Sequence, residues 1–261
     1  MNHAVRDHAV GDRTVAHDIV GYHRPGTLSD ALRLVAADHR VAVAGGVHLH
    51  HDGGGEPTEV VDLQSVGLDA IDVEGDRARL GATVRLQAVV DDARVPAVVR
   101  EAARREQPST LRSLATVGGA IATASGDSLL LAALLAHDAI VLLASDRLGE
   151  RNVSLEALLD DGLRADELIV EVVLHVGGEG AISVTGRTPR DTPIVGAVGR
   201  RVETPEGVGV TVALCGVGAR PVLVPPGGVA AVPTVDDHRA TATYRRHLAE
   251  VLTGRVLEDL S

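Results

Sequence analysis

Residues 111–125 read LRSLATVGGAIATAS: a glycine pair sits between a β-branched pair and a run of small residues, just ahead of a strongly apolar segment. A bare backbone at Thr116-Val117-Gly118-Gly119-Ala120 demands a reason, and a second turn, AVAGGVHLHH at residues 42–51, shares its logic around Ala44-Gly45-Gly46. Glycines at the end of a strand let backbone N–H groups approach an anion with no Cβ in the way. The chain has no G-x-G-x-x-G fingerprint and no P-loop. Two such turns, about seventy residues apart, are consistent with loops that close on one diphosphate from both sides. Two ordinary strand-end turns fit the spacing as well.

Outward from these turns, the pattern predicts a mixture of short helices and strands. YHRPGTLSDALRLVAADH (22–39) reads as a helix capped by Thr27 or Ser29, with Ala31, Leu32, Leu34 and Val35 on its apolar face. RVAVAGG (40–46) reads as a buried strand entering the first turn, and GGGEPTEVVDLQSV (53–66) and DRARLGATVRL (76–86) each supply a further strand. PAVVREAARREQ (96–107) is helical by spacing, with Pro96 tolerable in its first turn. SLLLAALLAHDA (128–139) reads as an apolar helix and AIVLLAS (139–145) as a strand. ELIVEVVLHV (167–176) and VGVTVALCGVGARPVLV (208–224) alternate like strands of an antiparallel sheet, with DTPIVGAVGRRV (191–202) between them as helix or strand. The last segment (236–260) is the clearest helix, with Asp236 or Asp237 as cap and Tyr244, Leu248, Val251, Leu252 and Val256 on one side. This organisation predicts a polar tail over 1–17, a larger unit over 18–165 and a smaller one over 166–261.

Composition narrows the function. The chain has 261 residues, 45% of them hydrophobic, ample for a real core. Phe and Trp are absent and only Tyr22 and Tyr244 are aromatic, so few rings are available to stack on a cofactor. All 25 basic residues are Arg, dispersed along the chain, and the net charge is −11; that balance argues against nucleic acid as partner. Cys215 stands alone, which excludes an internal disulfide and a four-thiolate cluster on this chain. Any iron–sulfur cluster must then sit on a partner. The first residues lack the apolar core of a signal peptide, and no 18-residue apolar stretch is present to cross a membrane; the expectation is a cytoplasmic protein with no transmembrane segment.

The motifs in combination resemble one family: the flavin-binding medium subunit of the molybdenum hydroxylases, the carbon monoxide dehydrogenase and xanthine dehydrogenase family. Its opening Tyr-x-x-Pro segment is matched at Tyr22-His23-Arg24-Pro25, its first flavin loop at Ala44-Gly45-Gly46, and its Val-Asp-Leu strand at Val61-Asp62-Leu63. LGATVRLQAVVDD (80–92) matches the stretch that follows, and the second flavin loop appears as Arg112 to Ala120. ELIVEVVL, RTPRDTPIVGAV, LCGVGARPVLV and YRRHLAEVLTGRVLED resemble the C-terminal domain, so the likeness runs over roughly residues 18–259. The resemblance implies an α+β fold: a two-subdomain FAD-binding domain of the PCMH type over 18–165, then a small C-terminal α+β domain with an antiparallel sheet. It implies FAD held by Ala44, Gly45, Gly46, Val47, His48, Leu49, His50, Thr116, Val117, Gly118, Gly119, Ala120, Thr123 and Asp127. It further implies a flavoprotein oxidoreductase component that takes electrons from [2Fe–2S] clusters on a small subunit and passes them to an external acceptor. The molybdenum cofactor belongs to a large molybdopterin-binding subunit. Flavin and metals carry the chemistry, so no catalytic acid or base is expected here.

Several positions depart from the family pattern. Val47 and His48 replace the polar residues that follow Ala-Gly-Gly, Ala120 replaces the Asn that closes the second loop, and the family's Asp falls at Leu129, two residues from Asp127. No Lys is available where the family places one. These changes motivate an alternative, a degenerate member that has lost FAD and serves as a structural or interaction subunit. His48, His50, His51 and Asp52 have the residue types of a metal site, but in a chain with 12 histidines they read as exposed loop residues, and no metal is expected. Cys215 reads as a small buried residue rather than a nucleophile. Arg187 and Arg190 read as a surface pair that could also neutralise a cofactor phosphate.

Overall fold

The computed structural model describes residues 19–47, 58–185, 192–205 and 207–261. The predicted N-terminal tail, His48, Leu49, His50, His51 and Asp52 of the first turn, and Arg187 and Arg190 lie outside the described residues.

Three sheets form in succession. The first is parallel, in the order β1 (Ile19–His23), β3 (Thr58–Asp62), β2 (Arg40–Val43), with helix α1 (Leu28–Val35) connecting β1 to β2. Thr27 caps α1 by accepting from the Asp30 N–H, and Ala31 and Val35 are its buried face. The Tyr22 hydroxyl donates to the Asp62 carboxylate, which also accepts from the Gln64 N–H at 2.9 Å. Two matched motifs far apart in the chain are thereby one hydrogen-bonded unit. Strand β2 departs from expectation, because it lies at the sheet edge with Val41 and Ala42 exposed rather than buried.

The second sheet is antiparallel, in the order β4 (Ile71–Glu74), β5 (Arg77–Gly81), β8 (Glu167–His175), β6 (Ile140–Ser145), β7 (Gly149–Ser154). Helices α2 (Leu86–Asp91), α3 (Ala97–Glu106), α4 (Ser109–Arg112), α5 (Val117–Thr123), α6 (Leu129–Ala136) and α7 (Leu155–Asp161) intervene. Strand β8 begins just past the expected division near residue 165. It pairs with β5 and β6 along its length, so ELIVEVVLH completes the second sheet, and the chain passes to the third only beyond residue 175.

The third sheet is antiparallel, β12 (Val222–Leu223), β11 (Gly207–Cys215), β10 (Val195–Thr204), β9 (Glu179–Thr185), which makes VGAVGRRV (195–202) a strand rather than a helix. Helix α6 packs against the third sheet on one side and α3 on another and is buried at every position from Leu129 to Ala136, which is why its sequence is apolar all round. It sits in the largest core, which draws Val198, Ala213 and Cys215 from the third sheet.

Helix α8 (Ala242–Asp259) covers the other face of that sheet. Its cap is Thr241, whose side chain accepts from the Tyr244 N–H, not Asp236 or Asp237. Its buried face is Arg245, Leu248, Ala249, Leu252, Thr253 and Val256, whereas Tyr244 and Val251 are exposed. Arg245 displaced the expected face by one position. Its Nη1 donates to the carbonyls of Ile194 and Gly216 and its guanidinium pairs with the Asp237 carboxylate, and a cation so paired can stay buried. Among the described residues, no helix is long and apolar enough to cross a membrane.

Candidate functional site

The two glycine turns meet across one cavity of about 520 Å³, a size typical of cofactor sites. One wall is β2 and the first turn, from Arg40 to Val47; the facing wall is Thr116, Gly118, Gly119, Ala120 and Thr123 of the second, and Leu163 to Ala165 with the start of β8 form a third. The exposed edge of β2 is therefore the apolar lining of this space. Of the expected site residues, Ala44, Gly45, Gly46, Val47, Thr116, Gly118, Gly119, Ala120 and Thr123 line it. Val117 does not: it is 1% exposed and belongs to the core. Asp127 does not line it either, because it is ion-paired with Arg239, whose guanidinium also donates to the Thr192 and Pro193 carbonyls at 2.7 and 2.8 Å.

The glycine pair is not a strand-end turn. It forms the first turn of α5, following α4, and Thr116 is the N-cap, accepting from the Gly119 N–H at 3.1 Å. Small residues allow this helix to start hard against the 82–84 backbone. The Gly118 N–H donates to the Ala82 carbonyl at 2.8 Å and the Val117 N–H to Val84 at 3.0 Å. A Cβ on Gly118 would fall 2.8 Å from both the Ala82 carbonyl oxygen and its Cβ. On Gly119 a Cβ would meet only the Thr116 Oγ1, at 3.0 Å.

The N–H groups of residues 117–120 are thus committed to protein acceptors, and the second turn offers the cavity an open face rather than a donor cradle. The first turn is the reverse. Gly45 approaches the 114–115 backbone so closely that a Cβ would lie 2.1 Å from the Leu114 carbonyl oxygen. Gly46 has φ +68, the left-handed region that favours glycine. The Gly45, Gly46 and Val47 N–H groups donate to no acceptor among the described residues.

Charge around the cavity is partly neutralised within the protein. Glu167, 3% exposed, is held by both ends of the Arg151 guanidinium at 2.7 and 2.9 Å, and Arg151 keeps its carboxyl below the usual range. Glu106 accepts from the Leu130 N–H at 3.1 Å at the start of α6, while burial pushes its carboxyl up. Arg40 donates to Glu59 at 2.7 Å and to the Leu34 carbonyl at 3.2 Å. Among the described residues, the cavity's other arginine, Arg164, is ion-paired with Glu167 alone, at 3.5 Å.

Sequence reasoning missed Glu106, Leu163, Arg164 and Glu167, since no motif marks them and the cavity alone unites them. Cys215 is buried as expected, and burial raises its thiol. No group of three or more His, Cys, Asp or Glu suited to a metal ion occurs among the described residues.

The family described as the FAD binding domain in molybdopterin dehydrogenase matches residues 16–174. The chain belongs to this family. Over 160 residues it is 32% identical to the protein YgfM of Escherichia coli (strain K12), a match that spans 59% of this chain and 58% of that protein. The likeness of fold to solved structures runs beyond that stretch. A chain of the Cu,Mo-CO dehydrogenase in its cyanide-inactivated form superposes with a TM-score of 0.84 at 21% identity, covering 94% of this chain and 98% of that one. Quinoline 2-oxidoreductase from Pseudomonas putida 86 gives 0.83 at 20% identity over 95% and 98%. CO dehydrogenase from Hydrogenophaga pseudoflava gives 0.84 at 19% identity over 94% and 98%. At such identities the likeness is one of fold.

The cavity's donor set fits FAD. Three uncommitted N–H groups at the first turn suit a diphosphate, the open face of Gly119 leaves it room, and Val41, Val43, Leu168 and Ile169 supply apolar walls. Neither Tyr22 nor Tyr244 lines the cavity, so no ring of the described residues stacks there.

Proposed function

We propose that this chain is the FAD-binding electron-transfer component of a molybdenum hydroxylase-type dehydrogenase complex of the cytoplasm. It would work beside a small [2Fe–2S] subunit and a large molybdopterin-binding subunit. The observation that carries this reading is the convergence of two glycine turns, far apart in the chain, on one cavity inside a fold of this family. In it, the Gly45, Gly46 and Val47 N–H groups hold the diphosphate, and Gly119 keeps the facing wall free of a side chain. The edge of β2 and the start of β8 exclude water from the apolar part of the cofactor. FAD supplies reversible one- and two-electron transfer when bound.

The chain's own groups contribute binding and orientation. Its one cysteine is buried in the core, so an iron–sulfur cluster would have to come from another chain. The test is anaerobic mixing of the FAD-loaded chain with its chemically reduced [2Fe–2S] partner. Loss of the oxidised-flavin absorbance is expected; flavin that stays oxidised in the assembled complex would overturn the relay.

A further inference from the structure

The geometry points to Arg164 as the residue that makes the cavity select an anionic flavin nucleotide over neutral riboflavin, an inference that rests on the FAD reading above. Two arginines line the cavity among the described residues, Arg40 and Arg164. Arg40 is committed, to Glu59 through Nε at 2.7 Å and to the Leu34 carbonyl through Nη1 at 3.2 Å. Arg164 has a different status. The carboxylate paired with it, Glu167, already receives two short guanidinium bonds from Arg151 at 2.7 and 2.9 Å, which leaves Arg164 at 3.5 Å with no side-chain hydrogen bond among the described residues. Its side chain is 54% exposed.

The backbone beneath this side chain is fixed, so the guanidinium is presented from a set position. The Arg164 N–H donates to Glu167 Oε2 at 3.2 Å, and the Glu167 N–H returns a bond to the Arg164 carbonyl at 3.1 Å. Just upstream, the Gly162 N–H closes α7 on the Leu158 carbonyl at 2.9 Å. A planar guanidinium with free donors suits phosphate oxygens. The chain has no Lys to take this part, and Val47 and Ala120 on the two turns carry no polar side-chain atom. Glu167 does not oppose an anion, because Arg151 balances its charge.

The experiment titrates the full chain with FAD, ADP and riboflavin, for the wild type, Arg164→Gln and Arg164→Lys, at low and high salt. Loss of a charge-assisted contact is expected to weaken FAD and ADP about tenfold or more in Arg164→Gln and to leave riboflavin within about twofold. Arg164→Lys restores part of the loss, and Arg164→Gln flattens the salt dependence of FAD binding. A loop that merely loosened would weaken riboflavin equally, and that result overturns the inference. Unchanged FAD affinity in Arg164→Gln overturns it too, as does wild-type binding of riboflavin as tight as that of FAD. A wild-type chain that binds none of the three overturns the FAD reading itself, and this inference with it.

Discussion

Replacing each glycine of the central pair with alanine has opposite expected consequences. In Gly118→Ala the new methyl meets the Ala82 carbonyl oxygen and Cβ at 2.8 Å, and neither is the far end of a flexible chain. Overpacking of this kind costs about 1–3 kcal/mol. Strain on the 2.8 Å bond from the residue 118 N–H to Ala82 adds about 0.5–1.5 kcal/mol. The better helix propensity of alanine offsets about 1 kcal/mol. The net loss is about 1–3 kcal/mol, or a fall in Tm of about 3–10 °C for a chain of this size. In Gly119→Ala the methyl presses only on Thr116 Oγ1 at 3.0 Å, and the propensity gain of about 1 kcal/mol balances it. Stability is expected to stay within about 0.5 kcal/mol of the wild type. The same methyl stands in the cavity, so FAD affinity falls about tenfold or more, roughly 1.4 kcal/mol. Thermal unfolding of the FAD-free chain and FAD titration of each variant separate the two effects. Equal stability of Gly118→Ala and the wild type would refute the packing argument. Unaltered FAD affinity in Gly119→Ala would refute its place at the cofactor.

Two further outcomes follow from buried groups outside the cavity. His137, 1% exposed, donates from Nδ1 to the His175 carbonyl at 2.6 Å, and burial lowers its pKa from 6.5 to about 4. The unfolded chain binds this proton more readily, so the stability it confers is present above pH 6.5 and is lost as pH falls toward 4, by about 3 kcal/mol in all. Denaturant unfolding across that window checks the slope, which is expected to flatten in His137→Gln. Arg245→Ala strips the Ile194 and Gly216 carbonyls and Asp237 of their shared partner. A loss of about 2–4 kcal/mol is expected in the same assay, mostly from the two carbonyls left without a donor; a loss below about 1 kcal/mol would count against a structural role for this buried cation.

Much of the fold was legible because it is written in local periodicity. The apolar run of α6, the Thr27 cap of α1 and the alternation in β11 all report contacts made within a few residues or across one face. Misreadings arose where a distant partner decides the matter. Arg245 looks like a surface residue until the carbonyls of Ile194 and Gly216 are brought to it, and it displaces Tyr244 and Val251 from the buried face. ELIVEVVLH alternates equally well for either antiparallel sheet, and only the pairing with β5 and β6 assigns it. Val41 reads as core because a cavity wall and a core have the same apolar composition.

The site was legible in part, for a related reason. Glycines mark close approach, but sequence does not say what approaches: at Gly118 it is Ala82, and at Gly45 the backbone of Leu114. Asp127 has the residue type of a cofactor contact and is instead paired with Arg239. Arg164 has no motif, and its availability depends on Arg151 having satisfied Glu167 first.

The measurement that bears most directly on the cofactor is the flavin content of the purified full chain. The protein is incubated with excess FAD and freed of unbound ligand, then assayed by its visible absorbance and by the FAD released on acid treatment. Close to one FAD per chain is expected, held by the free N–H groups of the first turn although the second turn's are committed elsewhere. A chain that retains no flavin at saturating FAD, alone and again with its partner subunits present, would contradict the account.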